Sequence, residues 1–240
     1  DDDSDVDILV VNLEGQSDSL YRNAGNWFKD ATAEVGLNVV SRRYTRFGVV
    51  LADFDNDGWM DLYQANGAVS HIPDQTGDPF AEPNTLYRGD EAGFKLVQPE
   101  GGTADELVHT SRGLAVGDVD NDGGLDLLVV NRDAAPYLLM NRAPNRGNWI
   151  RFRVLTSAGR DAHGATVSLR LGERRKHRDV QPAASYLSAN DARVHFGLGA
   201  AARVSDVRVQ WPDGSIESFG DFDGGATITL SAGTGTPVGR

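Results

Sequence analysis

Residues 53–61 read Asp53-Phe54-Asp55-Asn56-Asp57-Gly58-Trp59-Met60-Asp61, with carboxylates at the first, third, fifth and ninth positions of a nine-residue run. Such carboxylates can converge on one centre, because Gly58 lets the backbone turn sharply between them. Hard oxygen donors favour calcium. The carbonyl of Trp59, at the seventh position, and water would bring the set towards the roughly 6–8 oxygens that this ion prefers. Asp118, Asp120, Asp122 and Asp126 repeat the spacing, with the carbonyl of Gly124 at the seventh position. A third copy is partial: Asp1, Asp3 and Asp7 align with the later positions of the same run. An EF-hand would need a bidentate Glu at its twelfth position and flanking helices. Gln64 and Val129 stand there instead, inside apolar runs, so that alternative fails. The remaining one is a set of Asx-rich turns without metal. Carboxylates this crowded repel one another unless a cation lies between them, and the pattern occurs in full at two places.

The elements that must hold these loops also repeat. Each loop runs into an apolar segment closing on Asn (Asn12, Asn66, Asn131), then into a second segment: Leu20-Tyr21-Arg22, Leu86-Tyr87-Arg88 or Leu138-Leu139-Met140. The last aspartates of successive loops are 54 and 65 residues apart. That period fits one four-stranded blade per unit. Residues 71–82 look inserted in the second unit and suggest either a surface excursion or a ligand-binding loop on one rim. Short Val, Leu and Ile runs punctuated by glycine, with no long amphipathic helical pattern, predict an all-β chain. It would consist of partial β-propeller blades followed by a smaller β-rich domain.

Charge divides the chain in the same way. Residues 1–147 hold 26 acids against 11 bases, and residues 148–240 hold 9 against 12. The acidic half repels phosphate backbones and attracts cations, which argues against nucleic-acid binding. Without cysteine the chain has neither disulfides nor thiolate metal sites. No apolar run approaches the roughly 18 residues needed to span a bilayer, and residues 1–7 lack signal-peptide features. Gly197-Leu198-Gly199 resembles part of a dinucleotide fingerprint, but the alternating Val204, Val207 and Val209 predict a strand where that motif needs a helix. The basic run Arg174–Arg178 reads as a solvated hairpin tip or a contact for an anionic partner. Five scattered histidines (71, 109, 163, 177, 195) form no metalloprotease motif, and there is no nucleophile elbow. His195, beside Phe196, reads as a core or turn-bonding histidine.

The acidic loops, each followed by an apolar strand, resemble the FG-GAP or VCBS repeats of integrin-α-like propellers, with Phe47-Gly48 and Arg112-Gly113 at the place of that family's lead-in strand. Tyr21–Leu37 is similar to its inter-repeat segment. Further on, Tyr186-Leu187-Ser188-Ala189-Asn190, Val194–Gly199 and Val207–Gly214 resemble the ASPIC/UnbV domain. Together the halves are similar to the C-terminal part of cartilage-acidic-protein-like proteins. The division expected is 1–146 for the repeats, with the first truncated, 147–232 for the β domain and 233–240 for a tail.

The resemblance implies a secreted, extracellular or periplasmic, calcium-binding module that engages an extracellular protein or glycan. The alternative is an enzyme, a hydrolase or a metal-dependent cyclase or lyase, with a rim pocket between the halves. Two or three blades leave open sheet edges, so missing blades or a partner chain are expected to complete the ring.

Overall fold

The architecture comes from a computed structural model, which describes residues 5–71 and 77–239. Asp1 and Asp3, and part of the inserted segment 71–82, lie outside the described residues.

The first unit forms a three-stranded sheet of β1 (Ile8–Val10), β2 (Ser19–Asn23) and β3 (Phe28–Asp30). A short helix, α1 (Leu37–Val40), leads to the second unit. Its sheet runs in the order β4 (Arg46–Ala52), β5 (Asp61–Asn66), β7 (Thr85–Asp90) and β8 (Gly93–Leu96). Between these, β6 (Glu82–Pro83) pairs with β9 (Val108–His109). The third unit is β10 (Ser111–Gly117), β11 (Asp126–Asn131) and β12 (Tyr137–Leu139). All pairs within the three sheets are antiparallel. The register shifts between Arg46 and Gly48 recur between Ser111 and Gly113, so the repeat extends to backbone irregularities.

Four strands per blade hold for the second unit alone. Among the described residues no lead-in strand precedes β1, and no fourth strand follows β12, because the chain there enters the second lobe. The ring is accordingly not closed among the described residues. Blade-to-blade packing follows the period of two that a strand imposes. Leu62 and Tyr87 face the first blade, with Leu9 and Leu20, whereas Val50, Tyr63 and Leu86 face the third, with Leu114, Leu127 and Val129. Leu128, Val130 and Leu138 are the third blade's equivalents of Tyr63, Ala65 and Leu86, yet they are exposed, as are Ile8 and Val10 on the outer face of the first. Gly48 permits close approach of the lead-in strands, since a Cβ there would press on Leu114 and on the Arg112 carbonyl.

The second lobe has two sheets over one core. One is β16 (Val194–Gly199), β13 (Asn148–Leu155) and β19 (Thr227–Ser231), with β13 and β19 parallel. The other is β15 (Arg174–Asp179), β14 (Thr166–Leu171), β17 (Arg203–Gln210), β18 (Ile216–Asp223) and β20 (Thr236–Pro237). Phe152, Val167, Leu169, Phe196, Val209 and Leu230 fill the space between.

Residues 185–191 return to the blades. Ser185 and Ser188 Oγ accept the Val49 and Leu114 N–H groups at 3.1 and 3.0 Å, and Asn190 Oδ1 accepts that of Val116 at 3.1 Å. Strand edges that would otherwise be bare are thereby satisfied.

Candidate metal centres

The acidic loops join the lead-in strand of a blade to the next strand, β4 to β5 and β10 to β11. Their backbone geometry is the same twice over. Asn56 and Asn121 have φ of 58° and 59°, and Gly58 and Gly123 have 93° and 86°. These are left-handed conformations that Asn and Gly tolerate better than other residues. In the first loop Asp53 Oδ1 accepts the Asp57 N–H at 3.0 Å and Oδ2 accepts the Gly58 N–H at 2.8 Å. Asp118 does the same for Asp122 and Gly123, at 3.2 and 2.8 Å. Asp61 closes its loop by accepting Phe54 and Gly89, both at 2.9 Å; Asp126 does so with Val119 and Asn141, both at 2.8 Å. Asp7 accepts the Asn23 N–H at 2.8 Å, the counterpart of the Gly89 and Asn141 contacts, so the first unit keeps the last position of the same loop.

Asp53, Asp55 and Asp61 each place a carboxylate oxygen within 4.8 Å of the others, and Asp118, Asp120 and Asp126 do likewise. Each trio could hold a metal ion. Burial pushes Asp53 up to about 7, helped by the charges of Asp57, Asp61 and Asp55. Burial likewise pushes Asp61 up to about 7 against the N–H groups it accepts, and it raises Asp55, where Asp57 adds to the effect. Carboxylates that resist ionisation because they are buried together fit a site built for a cation. An all-oxygen donor set fits a hard one. Asp57 and Asp122, expected as ligands, stand outside the two trios. Asp57 accepts Trp59 N–H at 2.9 Å and meets Arg88 at 3.0 Å, while Asp122 accepts Gly124 N–H at 2.8 Å and meets Arg146 at 2.7 Å. Trp59 and Gly124 thus follow the fifth-position carboxylate in the same way in both loops.

The second lobe packs against both loops. Asn56 donates through Nδ2 to the Gly123 carbonyl at 3.0 Å, and its Oδ1 lies 2.8 Å from His195 Nε2. Because Oδ1 can only accept, His195 donates from Nε2 and its buried Nδ1 has no partner. Burial, with Arg151 adding to it, pushes His195 down to about 3, so the ring is neutral and is a packing element stacked on Trp149. Arg151 Nη1 meets Asp118 Oδ2 at 2.6 Å, both side chains being almost wholly buried. Sequence reasoning missed Asn56, Asn121 and Arg151; the recurrence of Asn at the fourth loop position was the available signal.

The basic run is corrected as well. Arg174–Asp179 is a strand and not a solvated hairpin tip, because the first loop supplies its cover. Arg174 and Lys176 lie over the Trp59 ring, at 4.5 and 5.5 Å from its centroid. Lys176, only 3% exposed, donates to the Gly58 carbonyl at 2.8 Å.

Two clefts of about 340 Å³ each bear on the enzyme alternative. One lies beside the second loop, between Val116, Leu138, Asp191 and Arg193; the other lies between Glu14, Tyr44, His71 and Glu82. Neither gathers His109, Arg112 or His195.

Residues 1–63 match the family model of the FG-GAP-like repeat, and residues 155–237 match that of ASPIC and UnbV. Joined to the fold above, these matches define the class: the chain is an FG-GAP repeat protein with a C-terminal ASPIC/UnbV domain. It is similar to cartilage acidic protein 1 of Homo sapiens, at 33% identity over 229 residues, and to that of Mus musculus, at 33% over 241. The Xenopus tropicalis protein of the same name is 31% identical over 262 residues. These alignments take in 90%, 89% and 88% of this chain but 32%, 34% and 40% of the relatives, so the chain spans about a third to two fifths of their length. Among the described residues no helix is long and apolar enough to cross a membrane.

Proposed function

We propose that this chain is a calcium-stabilised extracellular binding or adhesion module. Asp53, Asp55 and Asp61 would hold one ion and Asp118, Asp120 and Asp126 another, with Asp57, Asp122 and the carbonyls of Trp59 and Gly124 able to join them. When bound, the ion supplies positive charge that ties the strand before each loop to the strand after it. Asp7 would serve the truncated first loop in the same way, together with Asp1 and Asp3. The observation that carries this reading is the double occurrence of a carboxylate trio, its first and last members buried, held by matching backbone hydrogen bonds. An extracellular setting is supported by the similarity to cartilage acidic protein 1. The partner would be an extracellular protein or glycan. Further blades or a partner chain would cover the faces of Ile8 and Val10 and of Leu128, Val130 and Leu138, since the equivalent faces pack blade against blade within the molecule.

Calcium at about a hundredfold excess over its Kd should stabilise the fold by about 2.7 kcal/mol per site, with EDTA reversing the gain. Differential scanning calorimetry measures this. Asp61→Asn and Asp126→Asn should each remove one equivalent of calcium in a calorimetric titration. A melting temperature indifferent to calcium, or a stoichiometry unchanged in both variants, overturns the proposal.

A further inference from the structure

Resting on the calcium reading, we infer that the two loops are also the seat of the second lobe, so that cation binding at the first loop and lobe docking promote each other, whereas the Arg151 guanidinium on Asp118 opposes the cation at the second. Apart from Arg151, which meets Asp118 Oδ2 at 2.6 Å, the hydrogen bonds that join the lobes fall on loop atoms other than the carboxylates of the trios. Gly147 and Gly199 donate their N–H groups to the Asp55 and Asn56 carbonyls at 2.8 and 2.7 Å. Lys176 donates to the Gly58 carbonyl, and a Cβ on Gly197 would collide with Asp53 Oδ2. On the second loop, Asn121 Oδ1 accepts Arg151 Nη2 at 3.1 Å and Arg193 Nη1 at 2.8 Å, while the Asp118 carbonyl accepts Arg193 Nη2 at 3.1 Å. Asn56 and Asn121 occupy the same loop position in the same left-handed conformation, one facing His195 and the other the two arginines.

Each of these acceptors is placed only when its loop has its folded path. Four carboxylates within nine residues oppose that path while no cation lies among them. A cation that fixes the path of the first loop therefore presents its docking surface, and by linkage a docked lobe raises that loop's affinity for the cation by the same factor. Asn56 is a positioning residue: it belongs to neither carboxylate trio, and it acts on the cation through the lobe.

The test uses the 240-residue chain. Asn56→Ala should weaken calcium binding at the first loop by about tenfold in a calorimetric titration while leaving the stoichiometry at the wild-type value. Lys176→Gln, which touches the loop from the other lobe, should weaken the first site in the same direction and guards against loss of loop folding in the asparagine variant. In small-angle scattering, EDTA should expand the wild type and speed trypsin cleavage at Arg142 and Arg146. Calcium binding that is unchanged in both variants, with scattering indifferent to EDTA, overturns the coupling and leaves the calcium sites standing. A wild type that binds no calcium removes the coupling and the calcium reading together.

Discussion

The loops Asp53–Asp61 and Asp118–Asp126 share every acidic position and nearly every backbone hydrogen bond, yet they meet different charges. Against the first loop stands Arg88, which is 60% exposed and reaches Asp55 at 2.7 Å and Asp57 at 3.0 Å. Against the second stand Arg146, on Asp122 at 2.7 Å, and Arg151, whose side chain is 1% exposed and lies on Asp118 at 2.6 Å. Asp53 and Asp61 are pushed up by burial, whereas the hydrogen bond from Arg146 holds Asp122 below the usual carboxylate range. One motif thus makes a loop whose charge is left for a cation to neutralise and a loop whose charge the other lobe has partly neutralised. Acidic spacing alone does not set the charge a loop presents; the residues that neutralise its carboxylates do.

The largest expected effect comes from removing the buried guanidinium. Arg151→Met leaves Asp118 buried without its partner, a change that costs about 3–5 kcal/mol in a folded protein without a compensating ion. Urea denaturation in EDTA measures it. Calcium should recover more stability in this variant than in the wild type, because the ion then has no competitor at Asp118. A variant as stable as the wild type in EDTA would erase the contrast between the loops. Next comes the affinity gap: the wild type should bind calcium in two phases about tenfold apart, or about 1.4 kcal/mol. Asp61→Asn should delete the tighter phase and Asp126→Asn the weaker one. A single phase of equal affinities would show that Arg151 and Arg146 yield to the ion without cost.

Acidity should separate the loops as well. A carboxylate whose folded pKa is raised gives the native state more protons than the unfolded state between the two values. In EDTA, Asp53 and Asp61 should therefore make the protein lose stability as pH rises from about 4 to about 7, with no further loss above. Glu82, also raised to about 7 by burial, adds to the same slope, so Glu82→Gln is the background to subtract. Asp122 works in the opposite sense: its contribution is complete above the ordinary carboxylate range and is lost as pH falls through its lowered value. Denaturation curves of Asp53→Asn over this range should flatten in EDTA. A slope unchanged by Asp53→Asn would mean that the first loop is not the source.

The acidic clusters were legible because nine consecutive residues contain each of them, and the blades because a repeated apolar strand must follow each loop. The seating of the second lobe was not legible. Lys176 meets Gly58 across 118 positions and His195 meets Asn56 across 139, distances over which local pattern carries no information. A basic run reads the same whether water or Trp59 covers it, and only the tertiary fold buries Lys176. Four strands per unit failed for a related reason. The period of the loops counts units, while the number of strands in each depends on what the chain does next, and after Leu139 it leaves the blades for β13.

The smallest effect belongs to Arg88. Its ion pairs with Asp55 and Asp57 are largely solvated, and exposed pairs contribute about 0–1 kcal/mol. Arg88→Ala should hence change cation-free stability by less than about 1 kcal/mol, far below the effect of Arg151→Met. It should still strengthen calcium binding at the first loop slightly, since Arg88 holds two carboxylates that face the incoming ion. The gain should fade in about 1 M salt, where the Debye length is near 3 Å and an exposed guanidinium scarcely acts on its neighbours. Arg146→Ala, made at a side chain only 20% exposed, should strengthen the second site more and keep more of that gain in salt. Titrations of both variants at low and high salt check the order. A larger gain at the first loop than at the second would reverse the assignment of which loop its arginines neutralise more.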